Sequence, residues 1–169
     1  MRLLFGLAFL VNSVCLAASP GTRESYIYDE IMSGQSLEIL PQRESLGIGE
    51  SVSRASYCGA DSEFVCFESE SYAFAARRSA PCSAGSWTVH GRKYSVSEPL
   101  HERYLLGKIQ KVCAIQSSLT RGSEKISARY LYSPAEGLLI MEFREFSGDI
   151  EQPIRSYLAR DRGFGAAGR

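Results

Sequence analysis

The chain has 169 residues, with 19 basic and 19 acidic side chains and a hydrophobic share of 44%. That length suits one domain with its own core rather than two. The basic residues are scattered instead of gathered on one run, which argues against a nucleic-acid binder working through phosphate contacts.

The first residues read as an export signal. Arg2 precedes an apolar run from Leu3 to Leu10 that continues less purely to Leu16, and small residues come next at Ala17, Ala18 and Ser19. A short positive region, an apolar stretch and a small-residue exit together describe a secretory signal peptide. The run is too short for a membrane span of ~20 residues and is broken by Asn12 and Ser13. Cleavage is expected after Ala17, giving a signal peptide over 1–17 and no transmembrane segment once it is removed. Cys15 comes after Val14, whereas a lipid-carrying cysteine normally comes after a small residue, so a lipoprotein is the weaker reading. The expected location is periplasmic or secreted, with a Gram-negative envelope as the setting.

Export gives the cysteines a meaning. Cys58, Cys66, Cys82 and Cys113 remain after Cys15 is lost with the signal. An even count in an oxidising compartment reads as two disulfides, with three possible connectivities. Cys58–Cys66 with Cys82–Cys113 is favoured because the first closes a short local loop. The rival, a zinc site, lacks C-x-x-C or H-x-x-x-H spacing.

Residues 18–55 read as an N-terminal arm or linker. "ESYIYDEIM" (24–32) suits a short amphipathic helix about as well as a strand, and Gly34, Pro41, Gly47 and Gly49 punctuate residues 33–55. From Ser56 the pattern turns to period two, with Phe64, Cys66 and Glu68 on one parity and Val65, Phe67 and Ser69 on the other, and farther on Tyr72, Phe74 and Ala76 share a parity. "WTVHGRKYSV" predicts a hairpin reversing at His90-Gly91, because glycine takes positive φ without steric cost. "LLGKIQKVCAIQSS" and "EKISARYLYS" predict a second pair joined through "LTRGSE". In "YLYSPAEGLLIMEF", Pro134 presets a turn and Gly137 permits the exit, so Tyr130 and Tyr132 lead in while Leu139, Met141 and Phe143 lead back. "IRSYLARDRGFG" fits a closing strand somewhat better than a helix, with a mobile tail after it over 163–169. The expected fold is therefore mainly β: a single antiparallel β domain over 56–162, a small barrel or sandwich built from hairpins, with Phe64, Phe74, Trp87, Tyr130 and Phe143 in its core.

Charge is segregated along the chain. Glu24–Glu70 holds ten acidic and two basic residues, and Ser71–Tyr132 holds ten basic and three acidic ones. The two stretches are expected to neutralise each other in the fold, the alternative being a charged face that steers a binding partner.

Catalytic signals are sparse. A nucleophile elbow G-x-S-x-G, a phosphate loop and H-E-x-x-H are all missing from the sequence, and "GIGES" lacks the third glycine of a dinucleotide fingerprint. Glu68 and Glu70 in "FESES" would sit roughly 7 Å apart on one strand face, and the two histidines are His90 at a hairpin tip and His101 in "EPLHER", which reads as a polar connection. These four are the candidates for a small secreted hydrolase. Tyrosines beside arginines suit a binding face, and Arg92, Tyr94, Arg129 and Tyr132 are the candidates for one. The leading expectation is an exported, non-enzymatic β protein without cofactor, acting on another envelope or secreted protein as an inhibitor or immunity-type factor. An envelope-structural or assembly component is the third reading.

Overall fold

A computed structural model of the chain describes residues 25–121, 124–147 and 150–166, with side chains omitted at 119–126, 145–147 and 150–153. The export signal and its cleavage site lie outside the described residues.

Among the described residues, thirteen strands build two antiparallel sheets. The first four are β1 (Tyr26–Glu30), β2 (Ser36–Leu40), β3 (Ser45–Ile48) and β4 (Ser51–Arg54). Next come β5 (Ser56–Tyr57), β6 (Phe64–Glu68) and β7 (Ala73–Arg77). The remainder are β8 (Ser86–Val89), β9 (Arg92–Leu105), β10 (Lys108–Arg121), β11 (Glu124–Ser133), β12 (Gly137–Ser147) and β13 (Ile150–Ala159). Ten strands form one sheet in the order β4-β3-β2-β1-β13-β12-β11-β10-β9-β8, and β5-β6-β7 form the other. Two meanders thus meet where β1 pairs with β13. Among the described residues β4 and β8 are the ends of the large sheet, and the small sheet lies against one of its faces.

Alternation decides which face of the large sheet is buried. Ile115, Tyr130, Met141 and Tyr157 are successive cross-strand partners, and all are buried. The small sheet covers this face: Phe74 packs on Tyr130 and Tyr132, and Tyr72 meets Phe143 and Tyr157 edge-on. The Tyr72 and Tyr157 hydroxyls lie 2.8 Å apart, and Arg155 donates to Tyr72 at 3.1 Å. Burial raises the Tyr157 phenol above its ordinary range. Of the residues expected in the core, Phe74, Trp87, Tyr130 and Phe143 are buried and Phe64 is partly so.

The hairpins form as the sequence indicates. His90 and Gly91 have φ of 50° and 76° and reverse the chain between β8 and β9, bringing Trp87 opposite Tyr94. Paired positive φ values twist the turn to match the right-handed twist of the strands. Pro134–Glu136 link β11 to β12, with Gly137 at φ 80°. Both disulfides are present in the favoured pairing, Cys58–Cys66 and Cys82–Cys113.

Three expectations are corrected. The described part of the 18–55 arm is no linker: it contributes β1–β4 to the large sheet, and 26–30 is a strand rather than a helix. Its alternation buries Tyr26, Tyr28, Leu37 and Ile39, and Gly34 and Gly49 are turn residues with positive φ. "EPLHER" is not a connection but the middle of β9. Val112 pairs with His101 while Ala114 pairs with Glu98, so the extra residue forms a bulge around Pro99. Proline has no N–H to give a ladder, which is why it sits there. The described part of the tail, 163–166, is docked. Phe164 is 7% exposed, bridges to Leu138, and meets Tyr26 and Phe67 edge-on at 5.4 Å each. A Cβ on Gly163 would come within 2.0 Å of the Leu138 carbonyl oxygen, so only glycine allows this approach.

Candidate functional site

Among the described residues, two places bring chemistry-bearing or sticky groups together. The first is the corner where β6 ends. Glu68 closes that strand, and the β8–β9 turn carries His90 to it across the gap between the sheets. His90 Nδ1 lies 3.5 Å from Glu68 Oε2, and His90 Nε2 lies 3.9 Å from Cys66 Sγ. One imidazole therefore has a carboxylate on one nitrogen and the Cys58–Cys66 sulfurs on the other. Cys66 is buried, Cys58 half-buried and His90 exposed, so the corner opens to solvent on the histidine side. While the S–S bond stands, these sulfurs have no thiolate charge to offer a cation.

The second is the far end of the β9–β10 hairpin. Leu106 and Gly107, with φ of 52° and 76°, make the same kind of turn as His90-Gly91. Tyr104 pairs directly with Ile109, so both point to one face, and Leu100 shares Tyr104's parity. Leu100, Tyr104 and Ile109 are 46%, 70% and 69% exposed. Leu100 and Ile109 line an open groove of about 380 Å³ whose far wall is Ser133, Pro134 and Ala135. A Lys108–Glu136 ion pair at 2.7 Å ties the two hairpins together at its edge.

The residues singled out from the sequence fall differently. Tyr94 is 2% exposed and stacks on Trp87, Tyr132 is buried with its hydroxyl donating to the Gly165 carbonyl, and Arg92 is buried as well. Burial raises the phenols of both tyrosines. These three belong to the core and offer no contact face. Arg129 does lie on the outer surface, where it donates to Glu98 at 2.7 Å and Glu142 at 3.0 Å. The hydrogen bond from Arg129 holds the Glu98 carboxyl below its usual range. Glu70 is exposed in the turn after β6 rather than on the strand with Glu68. His101 sits on β9 with Nδ1 2.9 Å from the Pro99 carbonyl oxygen and Nε2 4.0 Å from Glu98. So His90 joins Glu68, and His101 and Glu70 stand apart from that pair.

Charge pairing tracks strand neighbours. Asp29 and Arg160 face each other across β1 and β13, and Arg129 binds acids on β9 and β12. The His90–Glu68 pair crosses between the acidic and basic stretches.

The exposed Leu100, Tyr104 and Ile109 cluster has a signal in the sequence. Leu106-Gly107 is a two-residue reversal, and such a reversal sets Tyr104 opposite Ile109. The Glu68–His90 approach has none, because it depends on how the two sheets pack. No protein-family model matches the chain, nor does any curated protein or any solved structure.

Proposed function

We propose that this chain is an exported, non-enzymatic β protein that works by binding another protein of the cell envelope or its surroundings, in the manner of an inhibitor or immunity factor. The observation that carries the reading is the Leu100, Tyr104 and Ile109 cluster beside the Pro134-Ala135 turn. Three large apolar side chains on one hairpin face lose hydration cost only when something covers them, and such clusters recur at protein–protein interfaces. Lys108, Lys111 and Glu136 line the groove beside Leu100 and Ile109, a polar border next to an apolar centre. Two disulfides fit an oxidising compartment outside the cytoplasm, and no helix among the described residues is long and apolar enough to cross a membrane. A periplasmic setting in a Gram-negative cell agrees with the signal-like first residues.

The test is capture of the partner by the purified chain and by Ile109→Asp, which places a charge at the centre of the face. Folded Ile109→Asp should lose the partner, and Met32→Asp, at an exposed residue of the β1–β2 turn, should retain it. Equal capture by both variants places binding elsewhere on the molecule.

A second reading rests on the Glu68–His90 approach. A carboxylate that orients an imidazole is the base half of many hydrolytic sites. Glu68→Gln and His90→Ala, with every phenotype unaltered, would remove it.

A further inference from the structure

We infer that the Cys58–Cys66 corner is a latent cation site: once its disulfide is opened by a dithiol, Cys58, Cys66 and His90 bind one zinc ion, with Glu68 orienting the histidine. The inference is independent of the partner-binding reading, since the corner and the β9–β10 face share no residue.

The donor atoms are already gathered. Cys58 Sγ, Cys66 Sγ and a ring nitrogen of His90 all lie within 4.8 Å of one another. A tetrahedral zinc ion with Zn–S near 2.3 Å and Zn–N near 2.0 Å holds its ligand atoms roughly 3.5–3.8 Å apart. The Cys66 Sγ to His90 Nε2 distance of 3.9 Å is within a few tenths of that. The two sulfurs must part from bonding distance, which asks for a side-chain rotation and leaves the backbone in place. That backbone is held without the S–S bond, because the Cys58 amide donates to the Cys66 carbonyl at 3.2 Å. β6 also stays paired with β7 from Phe64–Arg77 to Glu68–Ala73.

The neighbouring groups suit a zinc-bound histidine. Nε2 faces the sulfurs and Nδ1 faces Glu68, the arrangement in which a carboxylate fixes the ring and its tautomer while the other nitrogen takes the metal. His90 sits at a two-residue reversal with φ of 50°, which sets its backbone at this corner. Two thiolates and one imidazole make three protein ligands, and exposure on the histidine side leaves the fourth position to water. Sequence spacing could not show this, since the cysteines flank the start of β6 and the histidine comes from the β8–β9 turn.

The chemistry balances. The dithiol gives two electrons and two protons to the Cys58–Cys66 bond and becomes a disulfide itself, leaving two protein thiols. Zinc binding then releases both thiol protons to solvent. A covalent staple is exchanged for a metal clasp across the same eight-residue separation.

The experiment reduces the full chain with a phosphine, removes the reductant without air, and titrates zinc against a chromophoric chelator. Alkylation of free thiols read by peptide mass then shows which cysteines the metal protects. The expected result is one zinc per reduced chain, none on the oxidised chain, and zinc-dependent protection of Cys58 and Cys66 while the alkylation of Cys82 and of the buried Cys113 is the same with and without zinc. Glu68→Gln should weaken binding ~10- to 100-fold, as loss of an orienting carboxylate does, and His90→Ala should weaken it further. Any of three results overturns the inference: no zinc retained, zinc adding equal protection at all four cysteines, or His90→Ala binding as tightly as the parent. Reduction that unfolds the chain gives the second of these, because zinc then has no preference among thiols.

Discussion

Replacing Phe164 by alanine tests whether the last described segment is part of the core. The ring is 7% exposed and is held edge-on by Tyr26 and Phe67 at 5.4 Å, with Tyr57 tilted against it at 5.9 Å. A buried phenylalanine removes ~150 Å² or more from water, about 4 kcal/mol at 25 cal/mol per Å². Measured Phe→Ala changes in cores run from about 3 to 5 kcal/mol, so the two estimates agree. The backbone contacts survive the substitution: Phe164 N–H donates to the Tyr28 hydroxyl at 2.8 Å, and Leu138 N–H to the Phe164 carbonyl at 3.0 Å. They keep the segment in place, and the loss is that of a cavity. Against a typical total of about 5–15 kcal/mol, the variant should remain folded at room temperature but with a much lower urea midpoint. The chain's one tryptophan, Trp87, is buried against Tyr94 and reports unfolding by fluorescence with the disulfides intact. Ile154→Ala, at a residue more than half exposed, serves as the control and should change stability by under about 0.5 kcal/mol. A loss below about 1 kcal/mol for Phe164→Ala would refute the docking of this segment.

The two disulfides should differ in weight. Chain-entropy cost grows with loop length, giving about 2.6 kcal/mol for the eight-residue separation of Cys58–Cys66 and about 3.7 for the 31-residue separation of Cys82–Cys113. Paired Cys→Ser variants compared by urea unfolding check that order. Acid should weaken the fold partly through Asp29, whose carboxyl the Arg160 hydrogen bonds hold below its ordinary value, with Ser36 assisting. A lowered carboxyl stabilises above the unfolded pKa of about 4 and loses that effect as pH falls through its folded value. Asp29→Asn should therefore flatten the acid limb of the stability curve, weakly, because both side chains are largely solvent-exposed and the pair is screened. At the alkaline end, burial pushes the Tyr130 phenol up to about 12. Stability from that group is complete below about 10 and is lost as pH rises through about 12. Phenolate absorbance of the buried tyrosines should then appear together with loss of the folded signal, and early ionisation in a still-folded chain would count against the burial.

Much of the fold is legible because half-buried strands must alternate. β11 and β12 announce themselves through Ala128, Tyr130 and Tyr132 on one limb and Leu139, Met141 and Phe143 on the other, with Pro134 and Gly137 between them. His90-Gly91 is legible for the same reason: a turn that needs two positive φ angles selects glycine. The N-terminal strands are harder, since each has four or five residues and their turn glycines resemble those of a linker. Only pairing of β1 with β13, across nearly the whole chain, turns Tyr26 and Tyr28 into core residues. Segment 163–166 misleads similarly, because glycines that look mobile in sequence are there to let backbone approach backbone.

The candidate site was less legible than the fold. Tyrosine beside arginine suggests a contact face, yet in strands parity sets exposure, and Tyr94 and Tyr132 fall on the inner parity. Tyr104 falls on the outer one. The sequence carries that parity, but which face the small sheet covers is a tertiary fact.

Whether the Leu100, Tyr104 and Ile109 face is where this chain meets its partner can be read from a photo-crosslinking residue placed at Tyr104 of the chain in living cells. One discrete protein adduct should form, disappear when Ile109→Asp is added and persist with Met32→Asp. No adduct at position 104, or one indifferent to Ile109→Asp, would mean that the partner docks elsewhere.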